Sequence, residues 1–177
     1  CGMLANGDTG DGKLPSEETL VSYVVRELAH EKDLHGKKVL VTAGPTQEAI
    51  DPVRYITNHS TGKMGYALAE AAMLRGAEVT LISGPTAIEP PMFVNVIPII
   101  SAQEMFEKVA TNATENDIII KAAAVADYRP KEVCDEKIKK SDHDTEIELE
   151  RTTDILAYLG KNKGKTFLCG FSMETEN

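Results

Sequence analysis

The stretch GKKVLVTAGPTQEAIDPVRYITNHSTGKMG, residues 36–65, joins an apolar strand to a helix through a connection far longer than the join requires. Val39-Leu40-Val41 is the kind of run found in parallel strands covered on both faces. It breaks at Ala43-Gly44-Pro45-Thr46, and Ser60-Thr61-Gly62-Lys63-Met64-Gly65 opens the helix. About twenty residues lie between, where a βα connection usually takes a handful. A loop of that length in a compact α/β unit is expected to hold something. Its side chains, Arg54, Asn58, His59, Ser60, Thr61 and Lys63, with the backbone N–H groups at Gly44 and Gly62, suit an anion.

Working outward, strand and helix alternate. Residues 39–42 read as the first strand and 64–75 as a helix with Ala67, Leu68, Ala71 and Ala72 on its packing face, closed by Gly76. Residues 78–83, 93–97 and 117–121 read as further strands, with a Ser101-capped helix through 113 between the last two. After Arg129-Pro130 come a basic run, Lys137-Ile138-Lys139-Lys140, and a strictly alternating segment at 146–150. Asp154 is placed to cap a short helix through 159, and 166–171 is another buried strand. This order predicts a Rossmann-like, doubly wound, mainly parallel sheet with helices on both faces. Ligands in such sheets lie beyond the carboxyl ends of the strands, where the loops at Gly44, Gly84 and 122–127 fall.

Before this unit, residues 1–16 have the glycine-rich composition of a linker. A helix capped by Ser16 follows, with Leu20, Val21, Val24, Val25 and Leu28 as one apolar stripe. The main domain boundary is placed at 35/36. The 177 residues carry a net charge of −9, which disfavours general nucleic-acid binding and means that any anionic ligand needs a local basic cluster. No apolar stretch approaches the ~18 residues of a membrane span. Cys1, Cys134 and Cys169 form neither a paired framework nor a metal-ligand spacing, and a reducing cytoplasm is expected.

Familiar motifs do not account for the loop. Gly44-Pro45-Thr46 is not G-x-G-x-x-G, strand two ends in Ser83-Gly84-Pro85 without an acidic residue for a ribose, and Gly62-Lys63-Met64-Gly65 is not a P-loop. A Ser-capped helix start explains Ser60 and Gly62 but not the cluster of Arg54, Asn58, His59 and Lys63. Asp127 reads equally as a turn residue or as a ligand contact, beside small residues Ala122–Ala124 that let a flat ring approach the backbone. Lys137–Lys140 reads as a solvated basic strand in which no lysine stands out, and Cys134 and Cys169 as core or incidental residues.

Taken in order, TAGPT, DPVRYITNHSTGKMG, SGP, AAVADYRP, EKIKK and GFSMET resemble phosphopantothenoylcysteine synthetases, the C-terminal halves of bacterial bifunctional coenzyme A biosynthesis proteins. The resemblance spans 36–177 and implies joining of 4′-phosphopantothenate to L-cysteine with CTP and Mg²⁺, through an acyl-cytidylate. It implies that Asn58 holds that intermediate with Arg54 beside it, and that Lys137 promotes its formation. It implies CTP contacts at Lys121, Ala122, Ala123, Asp127, Lys137, Asp154, Ile155, Leu156, Ala157 and Phe171, with Gly44, Ser60, Gly62 and Lys63 as the phosphate and substrate loop. Magnesium ligands are left unassigned. It further implies a homodimer paired through the basic arm and alternating strand, and neither nucleic acid nor membrane as partner. Two departures stand out: Thr152-Thr153 replaces an Asn-Pro pair common in the family, and the family's further C-terminal lysines are missing, as in a truncated chain. Residues 1–15 resemble the end of a decarboxylase half, with Asn6 where that pattern has a catalytic Cys, so neither FMN nor decarboxylation is expected. The alternatives are a nucleotide-binding fragment without turnover and an NAD(P)-dependent oxidoreductase. Against the latter, Tyr128 is followed by Lys131 at the wrong spacing for a Tyr-x-x-x-Lys pair.

Overall fold

The apolar runs become one parallel sheet. The computed structural model describes residues 2–3, 7–10, 14–140, 145–162 and 164–173. Its elements are β1 (Gly2–Met3), β2 (Thr9–Gly10), α1 (Glu17–Leu28), β3 (Lys38–Ala43), β4 (Gln47–Ala49), β5 (Tyr55–Thr57), α2 (Lys63–Leu74), β6 (Glu78–Ser83), β7 (Asn95–Pro98), α3 (Ala102–Asn112), β8 (Ile118–Lys121), β9 (Tyr128–Pro130), β10 (Leu149–Arg151), α4 (Ile155–Asn162) and β11 (Phe167–Gly170). Five strands pair in parallel in the order β11-β8-β3-β6-β7. The chain runs outward from β3 through β6 to β7, then returns to the other side of β3 as β8. The topological switch point therefore lies between β3 and β8.

Alternation along each strand divides the core. Val39, Val41 and Leu81 face α2, while Leu40, Ile82 and Ile119 pack with Met105 and Val109 of α3 and Ile155 and Leu159 of α4. The sheet is thus covered on both faces, as the alternation of elements predicts.

Three local expectations are corrected. The inward face of α2 is Gly65, Tyr66, Ala69, Ala72 and Met73, while Ala67 and Ala71 are exposed. A small glycine is required here: a Cβ on Gly65 would stand 2.5 Å from the Ala43 Cβ. The stripe on α1 is not buried, with Val21 58% and Val24 56% exposed. That helix instead touches the domain through Tyr23, edge-on to Phe93 at 4.8 Å between ring centroids, and through the Arg26 guanidinium 4.6 Å from the same ring. Residues 1–16 are not wholly irregular, because β1 and β2 pair antiparallel. Cys1, Asn6 and residues 174–177 of the GFSMETEN tail lie outside the described residues.

The long connection after β3 folds as a hairpin, β4 with β5. Glu48, 3% exposed, accepts from Ala102 N at 2.9 Å, and Gln47 N donates to Ile100 O at 2.8 Å, so the hairpin is seated on the start of α3. A second ribbon, β9 with β10, leaves the domain beyond β8. The alternating segment at 146–150 enters it only from Leu149.

Candidate functional site at the switch point

Two short turns lace the switch point together. Thr42 Oγ1 accepts from Ala123 N at 3.2 Å and Thr46 Oγ1 from Ala126 N at 3.0 Å, while Gly44 O accepts from Ala124 N at 2.9 Å. Both threonines are fully buried. Their hydroxyls satisfy donors that a turn leaving the sheet would otherwise strand. Gly44 and Gly62 are buried as well, each with positive φ, and each packed against the Thr86 methyl group. Below them Thr86 donates to the Tyr66 hydroxyl, which bonds Ser83 Oγ at 3.1 Å.

Beside this lacing lies a cleft of about 610 Å³ lined by Lys121, Val125, Ala126, Asp127, Tyr128, Arg151, Thr152, Thr153, Asp154, Ile155, Leu156 and Ser172. Five residues singled out from the sequence for nucleotide contact line it together: Lys121, Asp127, Asp154, Ile155 and Leu156. Ala122 and Ala123 begin the turn above it. The Asp154 carboxylate caps α4 by accepting from Ala157 N at 2.8 Å, which commits that backbone donor. Phe171 is exposed, and its N–H reaches Lys121 O at 3.1 Å. Thr152, where an Asn-Pro pair was the alternative, donates to Ala126 O at 2.6 Å and keeps the floor of the cleft closed.

Lys121 ends the apolar strand β8 and carries the cleft's positive charge. Burial pulls its ammonium down to about 8, against the opposing pull of the Asp154 carboxylate. An unfolded lysine titrates near 10.4, so the unfolded chain binds more protons between the two values and stability rises with pH through that window. Below pH 8 the buried charge is a burden on the order of 2 kcal/mol. Lys121→Met is expected to raise stability by about that amount at pH 7 and to flatten the rise between pH 8 and 10 in denaturant titrations.

The remaining residues divide between two places. Arg54 and Lys137 line a second cavity, of about 620 Å³, formed with Ile50, Ile138, Lys139, Lys140, Thr145 and Ile147. Lys137 is therefore grouped with Arg54 rather than with the cleft at Lys121. Asn58 links the halves: its Nδ2 donates to Ala124 O at 3.3 Å and Val125 O at 3.2 Å, at the rim of the first cleft. Ser60 Oγ accepts from Gly62 N at 3.3 Å, and Gly62 rather than Ser60 is the N-cap of α2. Lys63 is exposed at the first turn of that helix.

Residues 34–177 match the family described as the DNA/pantothenate metabolism flavoprotein C-terminal domain. The chain belongs to that family. The flavoprotein C-terminal domain chain is 50% identical over 179 residues to the coenzyme A biosynthesis bifunctional protein CoaBC of Bacillus subtilis (strain 168), covering 99% of this chain and 44% of that protein. It is 48% identical over 177 residues to the CoaBC protein of Haemophilus influenzae, covering 99% of this chain and 44% of that one. It thus spans under half the length of the curated relatives it matches. Among solved structures, the C-terminal domain of a CoaBC protein superposes with a TM-score of 0.72 at 54% identity, covering 81% of this chain and 68% of that one. The family's domain therefore has the parallel sheet and switch point described above.

Sequence reasoning named Lys121 for its backbone and missed its side chain, although a lysine ending an apolar strand is itself a signal. Asp51, Arg151 and Tyr128 were also missed. The Asp51-Pro52 pair, a turn-forming signature, was the available cue for the first.

Proposed function

We propose that the chain performs CTP-dependent ligation of 4′-phosphopantothenate to L-cysteine, giving 4′-phosphopantothenoylcysteine, CMP and pyrophosphate. The substrate carboxylate displaces pyrophosphate from the CTP α-phosphorus, and the cysteine amine then displaces CMP. Asn58 carries the proposal, because its amide bonds fasten the long loop to the rim of the cleft that holds Lys121, Asp127 and Asp154. Family membership and the bifunctional relatives support it; they leave the oxidoreductase alternative without support.

Each residue has a task. The Lys121 ammonium, charged below pH about 8, draws the triphosphate into a half-buried site where charge is poorly screened. With Nδ2 committed to two carbonyls, Asn58 keeps Oδ1 as an acceptor suited to the cysteine amine. Lys137 neutralises charge on the departing pyrophosphate from the neighbouring cavity. Among the described residues no group of three His, Cys, Asp or Glu could hold a metal ion, so no residue here is assigned to Mg²⁺. Magnesium, when bound, comes with the triphosphate and offsets its charge.

A cytoplasmic homodimer completes the reading. Among the described residues no helix is long and apolar enough to cross a membrane. Tyr128, Ile147 and Leu149 leave an apolar surface exposed on the β9–β10 ribbon, which supports pairing there. The boundary at 35/36 rests on the change from the exposed helix α1 to the buried strand β3.

Quantifying pyrophosphate and CMP tests the ligation. Pyrophosphate is expected only with both CTP and 4′-phosphopantothenate, and stoichiometric CMP release only when cysteine is added. Because the chain spans 44% of its relatives, a nucleotide-binding fragment without turnover is the second reading. CTP binding without pyrophosphate would select it.

A further inference from the structure

Asp51 is the most heavily bonded side chain of the long loop, and its own side chain is 0% exposed. Oδ1 accepts from Val53 N and Arg54 N, both at 2.9 Å, in a turn closed by the aspartate itself. Oδ2 accepts from Arg54 Nε at 2.9 Å, from Arg54 Nη2, and from Ile138 N at 3.1 Å. Arg54 Nη2 also donates to Ile138 O at 2.8 Å. The N–H and C=O of one residue in the basic run are thus gripped by the two members of an ion pair. Nearby, Cys134 N donates to Ile50 O at 3.0 Å, a second tie between the same segments.

We propose that Asp51 is a positioning residue for the lysine run 137–140, which it holds over the β4–β5 hairpin by clamping Ile138 together with Arg54. The link to turnover rests on the ligase reading; the clamp itself does not. An exposed run of three lysines has no apolar reason to lie down in one place, and ordering it opposes chain entropy. Two charge-assisted bonds to a single peptide unit supply that order without using any lysine side chain. Lys137 keeps its ammonium for the cavity, and Arg54 acts through Ile138 as well as from the cavity wall. The Arg54 guanidinium, then the N–H groups of Val53, Ile138 and Arg54, hold the Asp51 carboxyl well below the usual carboxylate range against the opposing effect of desolvation. The clamp is therefore fully formed above about pH 4 and loosens only as pH falls far below that.

Hydrogen exchange and trypsin cleavage of the full chain test this. Asp51→Asn is expected to speed exchange of the Ile138 amide about tenfold or more, and to speed cleavage after Lys137, Lys139 and Lys140. Ile138→Pro, which removes only the arm's donor, is expected to do the same to cleavage and carries the test if the Asp51 variant does not fold. In the pyrophosphate assay, Asp51→Asn is expected to slow release about 10- to 100-fold. Combined with Lys137→Gln, it should add less than about twofold to the effect of the latter alone. Multiplicative effects, or exchange and cleavage unchanged in both variants, would overturn the proposal. If the unaltered chain releases no pyrophosphate, the ligase reading fails and the clamp is judged on exchange and cleavage alone.

Discussion

Asn58→Asp is expected to lower pyrophosphate-linked turnover by about 10²–10³-fold, the range seen when one positioned donor is taken from an active site. The replacement keeps the size of the side chain but removes both N–H bonds to Ala124 O and Val125 O. It sets a carboxylate against two carbonyl oxygens and adds negative charge where an anionic substrate must lie. The loop is then expected to lift from the rim, so that CTP still binds but the carboxylate to be activated is misplaced. Asn58 is exposed, so stability should fall by only about 1 kcal/mol. The measurement is kcat with CTP saturating, alongside a melt. Turnover above a tenth of the original would remove Asn58 from the mechanism.

Gly84→Ala is expected to destabilise the domain by about 3 kcal/mol or more, since the clash falls on backbone rather than on a side chain that can rotate away. A Cβ on Gly84 would stand 1.7 Å from Pro45 O and 2.8 Å from Pro45 C. Pro45 also forms a bridge with Ala124, and Gly84 N bonds Ala43 O at 3.0 Å. Moving either turn therefore shifts the whole lacing at the switch point, and nucleotide binding should weaken with it. Gly160→Ala is the matched control: it lies in α4 with nothing within 4 Å of the added methyl. It should stabilise by roughly 0.5–1 kcal/mol from helix propensity alone. Urea titration of the two variants compares them directly, and equal midpoints would refute the steric account.

The sheet was legible because its strands are short apolar runs bounded by glycine, proline or charge. Glu78–Ser83 could be delimited to the residue, and β3, β8 and β11 to within a residue at either end. The face of α2 was misjudged because alanines at 67, 69, 71 and 72 occupy every side of the helix, and only Tyr66 and Met73 break the tie. The α1 stripe has helical spacing, but spacing states only that a face is apolar, not that anything covers it. The hardest features to read are those made by distant partners. Asn58 meets carbonyls 66 and 67 positions away, and Asp51 meets Ile138 at a separation of 87. Composition at either end does not reveal such a meeting. A cleft lysine whose proton affinity is lowered by burial is likewise a property of the folded chain.

Lys121 also marks where stability and function pull apart. The variant expected to gain stability, Lys121→Met, should lose CTP affinity, because the charge that burdens the fold is the one that draws the triphosphate. A crystal structure of the full chain grown with CTP tests the central claim most directly. The nucleotide is expected between Lys121, Asp127 and the first turn of α4, with Asn58 still on the Ala124 and Val125 carbonyls. CTP density in another part of the molecule, with that cleft empty, would contradict it.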